Sequence, residues 1–168
     1  MSAFADSMDR DGNHIPLTGE YPYRTKHTIT FAGATTNAWG DDGGTLDGGA
    51  IFTVTGAIQC KLIGVCTTDL AGGATVEVGI SGATAIFCAQ ITDTTLDAGE
   101  FYINDTTPAS YFIVGEENAA ADNVPEYILN GNDIILTTTT TNTTSGVVDF
   151  YLLWKPLSDD ASVTVPDN

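Results

Sequence analysis

From His27 onward, apolar and polar residues alternate with the period of a strand. In the run from His27 to Phe31, Ile29 and Phe31 share one face. Ala50–Thr55 resumes the pattern after a glycine-rich loop, and Ala57–Cys66 continues it with Ile58, Cys60 and Leu62 on one side. Residues two apart on a pleated strand point the same way, so each run predicts one buried and one solvated face. Gly64, inside the third run, predicts a bulge or bend. Thr75–Ile80 places its apolar residues inward and Glu77 outward, and Ala83–Ile91 is apolar enough for a central strand. Glu100–Ile103, Ser110–Val114 and Glu126–Leu129 are shorter candidates. Asp133–Thr140 and Gly146–Trp154 read as a hairpin with a solvated, threonine-rich tip at Thr141–Ser145. In its second strand Val148, Phe150, Leu152 and Trp154 form one face. Glu116–Ala121 offers one helical turn at most, and no other window carries the 3.6-residue repeat. Closely spaced strands parted by Gly, Asp and Asn predict an all-β fold: a single antiparallel β-sandwich, jelly-roll-like, over residues 27–158.

The flanks read differently. Residues 1–26 follow neither period, and Pro16 and Pro22 bias the residues before them toward extended backbone. They predict an extended N-terminal arm that becomes ordered against a partner. Its apolar anchors are Phe4, Ile15, Leu17, Tyr21 and Tyr23, and Arg10, Arg24 and Lys26 are its charge partners. Residues 159–168 read as a C-terminal tail. A chain of 168 residues supports one domain with a real core, and its 26 threonines favour strands over helices.

Charge narrows the function. Five basic residues face 22 acidic ones, for a net −17. Residues 1–27 carry 3 − 4 = −1, whereas the remainder carries 2 − 18 = −16. So acidic a body repels nucleic acid and anionic membrane surfaces. The first ten residues lack the basic start and apolar stretch of a signal peptide, which predicts folding in the cytoplasm where the chain is made. Cys60, Cys66 and Cys88 each sit in an apolar run without a C-x-x-C pair, as structural, reduced thiols do.

Catalytic signals are sparse. His14 and His27 are the two histidines, no serine sits in a nucleophile elbow, and no glycine-rich loop opens a helix. These features predict no enzyme and no cofactor. Asp9, Asp11, Asn13 and Glu20 mimic a calcium-loop spacing, but His14 replaces the turn glycine and Pro16 interrupts the loop. Asp41, Asp42 and Asp47 share a flexible loop that could close on a hard cation, although a solvated turn is the commoner outcome, so no metal site is expected. Trp39 beside that loop, or Tyr111 near Glu116, are the aromatics a sugar-binding module would use.

The run Ile29–Asn37, the loop Gly40–Asp47, the strand Ile51–Gly56 and the ending Phe150–Ser158 resemble small virion proteins of tailed bacteriophages, including head decoration, or cement, proteins. The resemblance covers most of residues 28–158 and marks no binding residues. It implies a β-rich domain on the capsid exterior, bound to the major capsid protein and often trimeric; the acidic charge, separately, predicts no nucleic-acid and no membrane partner. The arm as the capsid-binding element follows from the residues themselves. A tail or neck component and a virion adhesion module are the alternatives.

Overall fold

The computed structural model describes residues 21–104 and 124–167. Its strands are β1 (Tyr23–Thr30), β2 (Gly49–Thr55), β3 (Ala57–Ala71), β4 (Thr75–Ile80), β5 (Ala83–Thr92), β6 (Phe101–Tyr102), β7 (Tyr127–Asn130), β8 (Ile134–Thr139), β9 (Ser145–Pro156) and β10 (Ser162–Thr164). One sheet runs β1-β9-β3, with β6 and β7 both on the far side of β3; the other runs β10-β2-β8-β4-β5. All pairs are antiparallel. The pairing is nested: β1 with β9, β2 with β8, β3 with β7, and β4 with β5. One long hairpin rolled over on itself gives that order, which is the jelly roll.

The two sheets meet through their inward residues. Ile29, Ile58, Cys60, Leu62, Phe150, Leu152 and Trp154 come from one sheet; Phe52, Val54, Val76, Val78, Phe87, Ile134 and Leu136 come from the other. All are buried, so the interior is filled by side chains. Tyr102 ties the sheets together. Its hydroxyl lies 2.7 Å from the Val76 carbonyl and 3.0 Å from that of Ala89, donating to the nearer. Asp93, a fully buried carboxylate, braces one end. Its Oδ1 accepts the Gly73 N–H at 2.8 Å and its own N–H donates to Ala74, joining the β3–β4 turn to the end of β5.

Several details depart from the sequence pattern. β1 starts at Tyr23, so Tyr23, Arg24 and Lys26 belong to the sheet and not to an arm. Tyr23 stacks on Trp154 with ring centroids 4.6 Å apart, and the Trp154 indole donates to Thr25, extending the β1–β9 register four residues toward the N-terminus. The tail also contributes a strand, since Ser162–Thr164 pairs with Thr53–Thr55. β8 and β9 are no hairpin, because they lie in different sheets. The connecting Thr143 is buried, its N–H donating to Gly40 and its carbonyl accepting from Gly33, so the loop is fastened down instead of solvated. Gly64 stays in register opposite Phe150, and the irregularity comes later, after Cys66. A Cβ at Gly64 would stand 3.0 Å from Tyr102 and 3.1 Å from Phe150; the glycine permits close approach and makes no bend. Ser110–Val114 and the turn at Glu116–Ala121 lie outside the described residues.

Candidate functional site

A filled interior leaves the outer surfaces as places to bind. On the β1-β9-β3 sheet, the alternation that sends Phe150, Leu152 and Trp154 inward sends Tyr151, Leu153 and Lys155 outward. The register then aligns rows across the strands. Lys26 stands opposite Tyr151, which stands opposite Ile63; Arg24 stands opposite Leu153, which stands opposite Lys61. Lys155 stands opposite Gln59, and Gln59 opposite Ile128 on β7. Every lysine and arginine among the described residues, namely Arg24, Lys26, Lys61 and Lys155, is therefore on this one face.

The cations form two groups. At the β1 edge, Tyr151 lies beneath both Arg24, whose guanidinium carbon is 5.7 Å from the ring centroid, and Lys26, whose Nζ is 5.5 Å away. Lys26 also pairs with Asp149 at 2.8 Å, and Thr28 donates its hydroxyl to the same carboxylate at 2.6 Å. The hydrogen bond to Asp149 raises the Lys26 pKa. Partial burial would raise that of Asp149, but the Lys26 and Thr28 hydrogen bonds outweigh it and hold the carboxyl below its usual range. At the corner where residues 1–20 join, the Tyr21 ring lies 5.3 Å from Lys61 Nζ and 5.6 Å from Lys155 Nζ, and Lys61 pairs with Glu126 at 3.5 Å. The Tyr21 hydroxyl, helped by Lys61 and Lys155, holds Glu126 below the usual carboxylate range against the opposing effect of burial. With Asp149 and Glu126 included, the cationic part of the face carries 4 − 2 = +2 within a chain of −17.

The opposite end of the same sheet is acidic. Asp69 follows Thr68, near the C-terminal end of β3, and accepts the Ala98 N–H at 2.7 Å. Asp97 and Glu100 lie in the adjoining segment, where Glu100 accepts the Asp97 N–H at 2.8 Å. From Lys61 to Asp69 the strand covers roughly 26 Å at 3.3 Å per residue. The sheet is electrically polar along its strands, with cations toward one end and carboxylates at the other.

Other candidates acquire structural roles. Tyr23 points inward against Trp154 and is core; Arg24 and Lys26 point outward. Trp39 is buried and lies edge-on to His27, so it offers no exposed platform for a sugar. His27 Nδ1 sits 2.8 Å from the Ile51 carbonyl. In the acidic loop, Asp41 accepts the Asn37 N–H and Asp47 accepts the N–H groups of Gly43 and Thr138, which turns these carboxylates toward bracing the loop. No grouping of three or more metal-ligating side chains occurs among the described residues. Burial raises all three thiols, Cys60 to about 12 and Cys66 to about 11, which keeps them protonated near neutrality. Phe4, Arg10, Ile15, Leu17, His14, Tyr111 and the Asp9–Glu20 spacing lie outside the described residues.

The sequence reading passed over Lys61, Lys155 and Tyr151. Alternation alone places each on an outer face, since each is out of phase with the buried residues beside it. That they share a face depends on the β3–β9 register, which joins residues about ninety positions apart. Comparison of the chain with protein-family models, curated proteins and solved structures returned no match.

Proposed function

We propose that this chain is a non-enzymatic binding protein that decorates the exterior of a tailed-phage capsid and stabilises the mature lattice. The observation that carries the proposal is the gathering of the described cations on one sheet face, at whose corner residues 1–20 join the fold. An acidic jelly roll with one cationic, aromatic face is suited to surface docking, and its charge keeps the rest of it away from packaged DNA. The resemblance of residues 28–158 to phage head proteins supports the same assignment.

The capsid contact is made from the corner of Tyr21, Lys61 and Lys155 outward, with Phe4, Ile15 and Leu17 as apolar anchors and Arg10 as a charge partner. Stabilisation follows from linkage. A protein that binds only the expanded lattice favours it by RT ln(1 + [L]/Kd) per site, about 2.7 kcal/mol at a hundredfold excess over Kd. Co-sedimentation with expanded, undecorated heads tests this reading. Saturable binding that weakens on removal of residues 1–20 is expected. Absence of binding by the full chain would reject the capsid assignment.

A further inference from the structure

The polarity of the β1-β9-β3 sheet has a consequence for how copies of this chain meet. Two copies at net −17 repel each other over any acidic surface, and two cationic faces at +2 also repel. The attractive contact sets the cationic edge of one copy against an acidic surface of the next, and Asp69, Asp97 and Glu100 form the acidic surface of the same sheet. The charge of that partner is fixed, because it is the same molecule. We infer that the β1 edge, with Arg24 and Lys26 around Tyr151, docks the Asp69, Asp97 and Glu100 end of a second copy, head to tail.

The chemistry of the edge fits a protein contact. Tyr151 supplies a rigid aromatic centre, and Arg24 offers a planar fork for a carboxylate, a pairing stronger than a point charge gives. Leu153 and Ile63 continue the outer face beside it, giving the apolar centre and charged rim of an interface. A nucleic acid fits poorly. It presents a charge every 1.7 Å or so of helix axis, against a net +2 that already includes two internal carboxylates. At about 0.15 M salt, repulsion beyond roughly 8 Å is screened while contacts across the interface persist. A head-to-tail contact uses two different surfaces, so it closes into a ring when the rotation permits, and three copies are the smallest ring that is not a dimer.

This inference rests on the reading of the chain as a binding protein working through this sheet, but not on a capsid as the partner; head co-sedimentation decides that separately. The experiment is sedimentation velocity on the full chain at about 0.15 M and 1 M salt. We expect a closed oligomer at the lower salt and monomer at the higher. Arg24→Glu with Lys26→Glu, and separately Asp97→Lys, should each weaken assembly about tenfold or more, while thermal melting confirms that both variants are folded. Mixing the two variants gives the decisive readout. Each lacks a different half of the contact, so a head-to-tail interface yields dimers of one copy of each and no ring. A monomeric parent chain at the lower salt, an oligomer insensitive to both variants, or a mixture that stays monomeric would overturn the inference.

Discussion

Strands β1, β9 and β3 carry two faces built from adjacent residues, and the faces answer to different free energies. Inward, Ile29, Phe150, Leu152, Ile58 and Leu62 are buried against the second sheet. Outward, on the face that also carries Tyr151, Arg24, Lys26, Lys61 and Lys155 supply four of the chain's five lysines and arginines. A period of two lets one strand hold both, so that a single step along the chain separates a folding residue from a binding residue. Hydrophobic burial has no use for cations gathered on one side. Their gathering in so acidic a chain is a feature of the surface, independent of what holds the fold together.

The sharpest test compares neighbours. Phe150 is fully buried between Gly64 and Tyr102, and Phe150→Ala should destabilise by about 3–5 kcal/mol, the cost of lost burial plus a cavity. Tyr151→Ala, one residue on, removes an outward ring and should leave the urea midpoint close to that of the parent while weakening self-association. Comparable losses of stability at both positions would break the comparison, because the outer face would then be part of what folds the chain.

Alkaline pH probes the inner face without mutation. Burial raises the Cys60 and Cys88 thiols above their ordinary value of 9.0, so the folded state keeps protons that the unfolded chain has released. Their contribution is complete below pH 9 and is lost as the pH climbs toward the raised values. Between pH 9 and 10 each of these two, and Cys66, whose thiol is raised to about 11, should remove about 1 kcal/mol, together about 3 kcal/mol. Urea unfolding at the two pH values measures this, and Cys88→Ala should reduce the drop. A flat profile would mean that water reaches these thiols.

Strand periodicity made much of this legible. The inward residues of β4 and β9 are read from alternation alone, because hydrophobic side chains recur every second position, whereas in β2 the adjacent Ile51 and Phe52 are both buried at a shift of register. What alternation cannot show is which strands are neighbours. Asp133–Thr140 and Gly146–Trp154 are adjacent in sequence, yet they enter different sheets because Gly33 and Gly40 hold the intervening Thr143. The start of β1 was hidden for another reason. Thr25 and His27 are polar at inward positions, each satisfied by a partner distant in sequence, Trp154 for one and Ile51 for the other. The candidate site was half visible. Arg24 and Lys26 stand out as rare cations, but the aperiodic sequence before them predicts an arm, and only the register brings Tyr151, Lys61 and Lys155 onto their face.

The smallest expected effect belongs to the outer face itself. Lys26 pairs with Asp149, and Thr28 holds the other carboxylate oxygen, so the pair is well formed; but Lys26 is half in solvent, where such pairs stabilise little. The pH signature follows from the directions of the two shifts. Asp149 is held below its ordinary 3.8, so its contribution is present above that value and fades as the pH falls through the lowered one. Lys26 is raised above 10.5, so its contribution is intact below that value and is lost only in strong alkali. Between pH 5 and 9, by these shifts, the pair adds no slope to stability. Lys26→Met should therefore lower the urea midpoint slightly at pH 6, far less than Phe150→Ala, and the difference from the parent should shrink as the pH drops below 3.8. A difference that persisted unchanged into acid would assign the loss to the packing of the lysine stem over Tyr151 instead of to its charge.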